Sequence, residues 1–303
     1  MKLSDCLPLL GYQNCYIENE REFDFLSLSS VISNLSCCTF IDNAKYIDSI
    51  SESITMVLTT EGISTQLSKK HYGICILNQP RIVFFELHNY LSQIEGYKRS
   101  AFKTVIGERN NISPKSSIAD NNVVIGNDVV IEEFVTIREN TVIGDRSIIR
   151  AGTVIGGLGF EFKRNGERIL SVAHSGGVLI GQDVEIQYNT CIDRAIYPWD
   201  NTVIGNYAKI DNLVHIAHAV KIEPNVMVVA CSLVGGRVHI MNNVWIGAGA
   251  TISNGLSVGN NARVNIGAVA TKNVEEGKSV TGNFAISHDK FIRNIKHAAR
   301  DYD

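Results

Sequence analysis

Apolar residues recur at every sixth position through the second half of the chain. A period of six matches neither the 3.6-residue turn of an α-helix nor the alternation of a long strand. It is typical of a very short strand followed by a corner, repeated many times, and such self-similarity predicts a solenoid. The members of the main series are Ile204, Ile210, Ile216, Ile222, Val228, Val234, Ile240, Ile246, Ile252, Val258 and Val264.

The residue two positions before each of these anchors is usually small or β-branched. Strand side chains alternate between faces, so both residues of the pair point into the coil and the residue between them points out. Glycine, asparagine and aspartate follow many anchors, as in Gly205-Asn206 and Gly259-Asn260-Asn261, and these residues suit tight corners. The pattern predicts a parallel β-helix over residues 105–282.

Two segments interrupt the period. Residues 157–177 shift its phase by one, and residues 195–201 place Pro198 where an anchor is due. Loops that break a regular solenoid are frequent sites of ligand binding. Because both segments are rich in aromatic and charged residues, we expect both to contribute to function rather than to be neutral surface insertions.

The flanks lack the repeat. Residues 1–104 alternate strand-like runs, such as 54–58 and 73–77, with a helix-like run at 81–92, and they predict a small α/β domain. Residues 283–303 form a predicted C-terminal tail, with a short basic amphipathic helix at 286–300.

Composition narrows the class of protein. A net charge of −3 gives no reason to expect a nucleic-acid partner. The sequence has neither the apolar run of a membrane helix nor a signal peptide at its start, so we expect a cytoplasmic protein without integral membrane contact. Seven scattered cysteines without a CxxC pair fit reduced thiols and predict no cysteine zinc site.

Four motifs resemble those of the UDP-3-O-acylglucosamine N-acyltransferases of lipid A synthesis. They are Thr39-Phe40-Ile41-Asp42-Asn43-Ala44-Lys45-Tyr46, Asn78-Gln79-Pro80-Arg81-Ile82-Val83-Phe84, the stretch from Gly157-Leu158-Gly159-Phe160 to Cys191-Ile192-Asp193-Arg194, and Ile210-Asp211-Asn212-Leu213-Val214-His215-Ile216-Ala217-His218. The resemblance covers the whole layout of the chain, and the last motif is the most specific.

The resemblance implies a left-handed β-helix with an N-terminal nucleotide-binding domain and a C-terminal helix. It implies uracil binding by Phe40, Asn43 and Tyr46, although from spacing alone two of these could be ordinary core aromatics. The family's catalytic histidine falls on His218, and the backbone N–H that binds the thioester oxygen falls on Gly236. It also implies a homotrimer with active sites between subunits.

Chemistry supports a histidine as general base, because an amine that attacks a thioester must lose a proton near neutral pH. We expect His218 to face solvent at a corner, with Asp211 or a backbone carbonyl fixing its tautomer. His215 and Asn212 are assigned to the substrate side. Gly235, Cys231 and Ala248 are assigned to the acyl donor, whereas His174 and His239 are expected to be surface residues.

Three departures change the expected substrate. No histidine stands at Ser253-Asn254-Gly255-Leu256, where the family has a second one, and the sequence has less helix after Arg293 than the lipid A enzymes. Cys231-Ser232-Leu233 replaces small residues beside the acyl groove. We therefore predict transfer from a short acyl-CoA to a UDP- or TDP-linked amino sugar for surface glycan synthesis, without metal or covalently bound cofactor. Lipid A synthesis with acyl carrier protein is the alternative.

Two other classes stay open. Some hexapeptide β-helices, the gamma-class carbonic anhydrases, bind zinc through three histidines at a subunit interface, and His215, His218 and His239 could supply them. A purely structural solenoid is the third possibility, but it would leave the N-terminal region and the histidine motif without a role.

Overall fold

A computed structural model of the chain describes residues 1–13, 15–67, 71–282 and 284–300, the last three of these for their backbone only. Four α-helices lie in these ranges: α1 Leu3–Cys6, α2 Glu61–Leu67, α3 Pro80–Leu91 and α4 His288–Arg300. Two 3₁₀ segments cover Pro8–Leu10 and Ala44–Ser49. Residues 283 and 301–303 of the predicted tail lie outside the described residues.

The N-terminal region contains one five-stranded sheet. Its strands are β1 Tyr16–Glu18, β2 Phe25–Leu26, β3 Cys37–Ile41, β4 Ile54–Thr59 and β5 Gly73–Ile76, in the order β1-β5-β4-β3-β2. Only β1 runs antiparallel to its neighbour. The predicted runs at 54–58, 73–77 and 81–92 correspond to β4, β5 and α3, so the α/β character of this region is confirmed. The apolar side of α3 is fully buried at Phe84 and Leu87.

Residues 105–282 form many short strands and one antiparallel hairpin, made by β15 and β16. In chain order they are β6 Val105–Ile106, β7 Asn111–Ile112, β8 Ser117–Ile118, β9 Val123–Ile125, β10 Val130–Ile131, β11 Thr136–Ile137, β12 Thr141–Ile143, β13 Ile148–Ile149, β14 Val154–Gly157, β15 Phe162–Asn165, β16 Arg168–Ser171, β17 Gly177–Ile180, β18 Glu185–Ile186, β19 Cys191–Asp193, β20 Asn201–Ile204, β21 Lys209–Ile210, β22 His215–Ile216, β23 Lys221–Ile222, β24 Met227–Val228, β25 Leu233–Val234, β26 His239–Ile240, β27 Trp245–Ile246, β28 Thr251–Ile252, β29 Ser257–Val258, β30 Arg263–Val264, β31 Val269–Ala270 and β32 Ser279–Val280.

These strands make three parallel sheets, which are the three faces of a β-helix. The first face contains β6, the second β7 and the third β8, and each later coil adds one strand to each face. In the second face Lys209 pairs with Met227, and Met227 with Trp245, so one regular coil takes three hexapeptides. The predicted solenoid is confirmed in its repeat and in its parallel pairing.

The core runs along the inside of the coils. Every anchor of the main series is buried, and so are nearly all residues two positions before an anchor, which include Thr202 and Ser232. The large exception in the sequence, Leu256, is only partly buried. Truncating one fully buried isoleucine to alanine in such a core costs about 2–5 kcal/mol.

The corners depart from the sequence-based expectation. Every sixth residue from Tyr207 to Gly267 has a left-handed backbone, and these positions include Leu213, Ala219 and Cys231 as well as glycine and asparagine. Left-handed backbone is unfavourable for most L-residues, so the coil geometry imposes it rather than the corner residue. Gly205, which follows an anchor directly, instead allows close stacking: a Cβ there would lie 2.6 Å from the carbonyl carbon of Glu223.

The first interruption, residues 157–177, contains the antiparallel hairpin of β15 and β16. Its return strand is held by α3: the Asn89 side chain donates to the carbonyl of Ser171 at 2.7 Å and accepts from the N–H of Ala173 at 2.8 Å. Helix α3 therefore helps to fix the position of this hairpin.

The second interruption, residues 195–201, packs against the N-terminal region. Ile196 and Tyr197 are buried in the same cluster as Phe84, and the Trp199 indole N–H donates to the carbonyl of Leu26 at 2.9 Å. Arg99 donates to the carbonyls of Pro198 and Asp200 at 2.8 Å each. These contacts join the two parts of the chain, so this segment lies at their junction.

Three remaining expectations concern the tail, the membrane and the thiols. The helix expected at 286–300 is α4. Among the residues that the structure describes, no helix combines the length and the apolar character needed to cross a bilayer. All seven cysteines are free thiols.

Candidate active site around His218

His218 lies at the corner between the third and the first face, two residues after Ile216, the last residue of β22. Its side chain is only 14% exposed, because the hairpin segment covers it, so the expectation of a solvent-facing histidine is wrong. The imidazole Nε2 lies 3.4 Å from the Glu161 Oε2, and Nδ1 is buried without a hydrogen-bond partner in this chain. A Cβ on Gly236 would lie 2.7 Å from Nε2, so the ring packs directly on this glycine.

The Glu161 carboxylate lies between the His218 imidazole and the Lys163 ammonium group. One oxygen faces His218 and the other accepts a hydrogen bond from the Lys163 ammonium group, which also lies 4.5 Å from the centre of the Phe85 ring. Burial raises the pKa of Glu161, but the hydrogen bonds from His218 and Lys163 and the charge of Lys163 outweigh burial and lower it to about 2. Glu161 is therefore an anion at neutral pH.

The expected surface position of His174 is wrong. It is 8% exposed, and its ring packs edge-on against His218 with 5.9 Å between centroids. Its Nδ1 lies 3.0 Å from the carbonyl of Val172, which fixes Nδ1 as the donor and leaves Nε2 as a buried acceptor without a partner in this chain. Burial, with the nearby charge of His218, lowers its pKa to about 4, so the ring is neutral at pH 7.

Asp193 completes the cluster from the end of β19. Its carboxylate lies 3.6 Å from the His215 Nε2, and burial raises its pKa while His215 and His218 oppose that rise. Gly159 closes over this group: a Cβ there would lie 3.0 Å from the His174 Nε2 and 3.2 Å from the Asp193 Oδ2. The glycine lets the hairpin segment approach the histidines closely.

Other predicted residues lie at a different corner, between the second and the third face. There the Asp211 carboxylate accepts from the N–H groups of Asn212 at 2.7 Å and Ala230 at 3.1 Å. Asp211 therefore does not contact His218 within this chain, contrary to its predicted role. It accepts backbone hydrogen bonds at its own corner, and Glu161 lies beside the imidazole instead.

The predicted donor residues divide between the two corners. Cys231 is exposed and donates its N–H to the carbonyl of Asn212 at 3.0 Å, and Ala248 follows one coil later. A shallow cavity of about 300 Å³ opens beside Asp211, with Met227 and Trp245 in its wall. Gly235 lies next to Gly236 near His218 instead, where a Cβ would lie 2.7 Å from the backbone nitrogen of Asn254.

The predicted uracil-binding residues lie at the carboxyl edge of the N-terminal sheet. Phe40 is half-buried against Phe84, with ring centroids 5.0 Å apart. The Asn43 Oδ1 caps the following 3₁₀ segment through the N–H of Lys45, and Tyr46 is 41% exposed. These side chains do not line the cavity of about 880 Å³ at the same sheet, whose walls include Tyr12, Tyr16, Asn78 and Gln79.

The three histidines considered for zinc do not meet within one chain. His239 lies on the first face and pairs with Glu223 at 2.9 Å, whereas His215 lies on the third face. Throughout the described part of the chain, no group of three or more histidine, cysteine or carboxylate side chains has an arrangement that could hold a metal ion.

Three parallel sheets, regular coils and hexapeptide anchors define a class: the chain is a left-handed parallel β-helix of hexapeptide repeats. The model for the bacterial transferase hexapeptide (six repeats) matches residues 122–157 and 201–236, and the second range contains both His218 and Gly236. Two solved structures share the fold. They are a UDP-N-acetylglucosamine acyltransferase from Campylobacter jejuni (TM-score 0.54, 20% identity, 63% of this chain and 77% of that one) and one from Arabidopsis (TM-score 0.51, 21% identity, 63% and 73%).

The chain is similar to UDP-3-O-acylglucosamine N-acyltransferases, as its motifs predict. It is 48% identical to UDP-3-O-acylglucosamine N-acyltransferase 2 of Legionella pneumophila over 149 residues, which are 49% of this chain and 43% of that protein. It is 46% identical to UDP-3-O-acylglucosamine N-acyltransferase of Dechloromonas aromatica over 88 residues, 29% of this chain and 25% of that protein. The chain thus spans less than half the length of these relatives.

Proposed function

We propose that the chain is an N-acyltransferase that moves an acyl group from acyl-CoA to the amino group of a UDP- or TDP-linked amino sugar. The observation that carries this proposal is His218, a largely enclosed histidine that packs on Gly236 and faces an ionised carboxylate. The similarity to named N-acyltransferases supports the reaction class.

The chemistry needs a base and an oxyanion donor. The amine nitrogen attacks the thioester carbonyl carbon, its proton goes to His218, and the tetrahedral oxyanion accepts a hydrogen bond from the N–H of Gly236. When the intermediate collapses, the C–S bond breaks and the proton passes from His218 to the thiolate sulfur. The products are an amide and a free thiol, and no step calls for a metal or a covalently bound cofactor.

The N-terminal region supplies nucleotide recognition in this proposal. Its exposed Tyr46 and half-buried Phe40 lie at the carboxyl edge of parallel strands, where ligands of open α/β sheets often bind. Aromatic faces and the Asn43 amide suit a pyrimidine base. We accordingly divide the chain into a nucleotide-binding domain (1–104), a transferase domain (105–282) and a helical tail (283–303).

The proposed donor is acetyl-CoA or another short acyl-CoA. Cys231 and Leu233 both expose side chains on the third-face side of the coils, and Leu233 is 41% exposed. Side chains of this bulk leave less room for a long acyl chain than the small residues that the resemblance led us to expect. We place His215 and Asn212 near the sugar, and Cys231 and Ala248 near the donor.

A second candidate is the lipid A reaction itself, UDP-3-O-acylglucosamine N-acylation from acyl carrier protein. The names of the similar proteins favour it. It differs from the first candidate in the donor and in acyl length, not in the bond that is formed.

We also propose a cytoplasmic homotrimer. His218 lies at one corner of the third face while Cys231 and Ala248 lie at the other, so one chain does not gather all of the proposed groups. A threefold arrangement can bring one corner of a subunit against the opposite corner of its neighbour.

A donor assay tests the proposal. Purified protein is given UDP- or TDP-amino sugars with acetyl-CoA, a short hydroxyacyl-CoA or a long-chain acyl carrier protein, and thiol release and amide product are measured. We expect turnover with short acyl-CoA and at least a 100-fold lower kcat in His218→Ala. Turnover only with the long-chain carrier protein would establish the second candidate, and full activity of His218→Ala would remove His218 as the base.

A further inference from the structure

Glu161 is the charged residue of the hairpin segment that lies beside His218. It stands in the hairpin segment just before β15, and its side chain is 17% exposed. Its Oε2 lies 3.4 Å from the His218 Nε2, which is the shortest contact that the structure gives this ring to a charged side chain. Asp211, the residue expected in that role, is engaged at another corner.

We propose that Glu161 is a positioning residue, held by Lys163, that orients the His218 ring and stabilises its imidazolium form during acyl transfer. The inference rests on the proposed function for the reaction itself, but the pairing of the two side chains can be tested without substrate. In the reaction, the amine proton moves to His218 and then to the thiolate sulfur. The carboxylate only balances the charge that His218 carries between those transfers.

The surroundings of Glu161 explain why it can serve only as an anion. The Lys163 ammonium group donates to its Oε1 and is itself fixed over the Phe85 ring of α3. A carboxylate that keeps its charge accepts hydrogen bonds and cannot donate. Its charge therefore attracts the imidazolium form of His218 more strongly than the neutral ring.

Other charged or titratable groups face the same ring. His174 packs edge-on from the return strand of the hairpin segment, and Asp193 approaches from β19. Arg237 belongs to the next coil, where its N–H donates to the His218 carbonyl at 3.0 Å and its guanidinium lies over Tyr197. Asp193 is buried and lies beside His215. Glu161 is therefore the carboxylate whose removal changes the electrostatic environment of His218 most directly.

The substrate-free test is a histidine titration by NMR on the full chain, with His218 assigned from a His218→Gln sample. In Glu161→Gln the midpoint of the His218 signal is expected to move to lower pH by about half a pH unit or more, because the imidazolium loses its neighbouring anion. Glu167→Gln removes an exposed carboxylate from the same hairpin and is the matched control, with the wild-type midpoint. An unmoved midpoint in Glu161→Gln would overturn the pairing even if the protein proves to have another activity.

The kinetic test uses the reaction once the donor is known. Glu161→Gln is expected to lower kcat by about 10- to 100-fold with little change in KM, and to move the acid limb of the kcat/KM profile to lower pH. Glu161→Asp keeps the charge and should recover part of kcat. A loss of kcat with an unmoved acid limb, or wild-type kinetics equal to those of Glu167→Gln, would overturn the proposal.

Discussion

At the scale of single residues, the corner around His218 depends on two glycines at positions where a larger residue would collide with the histidines. Gly236 supports the imidazole from the following coil, and Gly159 lets the hairpin segment close over it from outside. The ring is thus held between two backbone segments that are far apart in sequence. A side chain added at either glycine would therefore press on the His218 ring.

Gly236→Ala tests this arrangement. The added Cβ would lie 2.7 Å from the His218 Nε2, so the ring must move, and a displacement of this kind costs about 100-fold in turnover. The side chain can yield, so stability should change little. Steady-state kinetics and thermal unfolding measure the two effects, with Gly282→Ala as the control because its Cβ meets no atom within 4 Å. Wild-type turnover in Gly236→Ala would mean that the ring position is not important.

Two buried histidines predict how stability depends on pH. Burial lowers the pKa of His88 and of His174 from 6.5 to about 4, so both rings are neutral in the folded chain at pH 7. Between pH 6.5 and 4 the unfolded chain binds protons that the folded chain does not, and stability falls with falling pH. Each histidine contributes on the order of 3 kcal/mol to this loss.

Urea unfolding across that pH range measures the loss. Wild type should lose stability steadily between pH 6.5 and 4, whereas His174→Gln should show a shallower slope over the same range. Equal slopes for the two proteins would show that His174 does not remain neutral on folding.

At the scale of elements, the hairpin of β15 and β16 connects two kinds of structure. Its inner residues Glu161 and Lys163 face His218 and α3, while Phe160 is 91% exposed on its outer side. Its attachment depends on the Asn89 amide, which uses both its donor and its acceptor on the return strand. The hairpin position therefore depends on a helix outside the repeats.

Asn89→Ala should loosen the hairpin without unfolding the coils. Loss of two hydrogen bonds costs about 1–3 kcal/mol locally. Amide hydrogen exchange in residues 160–173 should accelerate by about 10-fold or more, while the exchange of the coil strands from β20 onward stays unchanged. Asn89→Asp keeps only the acceptor and should be intermediate. Uniform acceleration along the whole chain would instead indicate a global loss of stability.

The repeat was predictable because each coil position repeats the same environment, and the anchors of the main series are buried as their period indicated. The corner backbone was not, since residues such as Leu213 adopt a left-handed conformation that their type disfavours. Glu161 and His174 could not be found from periodicity, because both stand in the segment that breaks it. Their neighbours are set by tertiary contacts with α3 and β19.

At the scale of the whole molecule, the third face carries proposed groups at both of its edges. His218 and Gly236 lie at one edge, and Asn212 and Cys231 lie at the other, with the width of a strand between them. In the proposed trimer, the face of a second subunit would bring the two sets of groups together. The positions of these residues and the resemblance both support the proposed trimer.

Light scattering coupled to size exclusion tests the trimer. Three chains of 33.3 kDa give a particle of about 100 kDa, and activity should decline on dilution together with that mass. A stable and fully active monomer would contradict both expectations.

The packing of residues 195–201 against the N-terminal region has a consequence for exchanging domains between this protein and its relatives. Ile196 and Tyr197 belong to the β-helix by sequence, yet they fill the core beneath α3 together with Phe84. A chimera that takes the first 104 residues from a relative and the coils from this chain would therefore pair Ile196 and Tyr197 with a core of different shape. Stable chimeras are expected only when residues 195–201 and the N-terminal region are taken from the same protein.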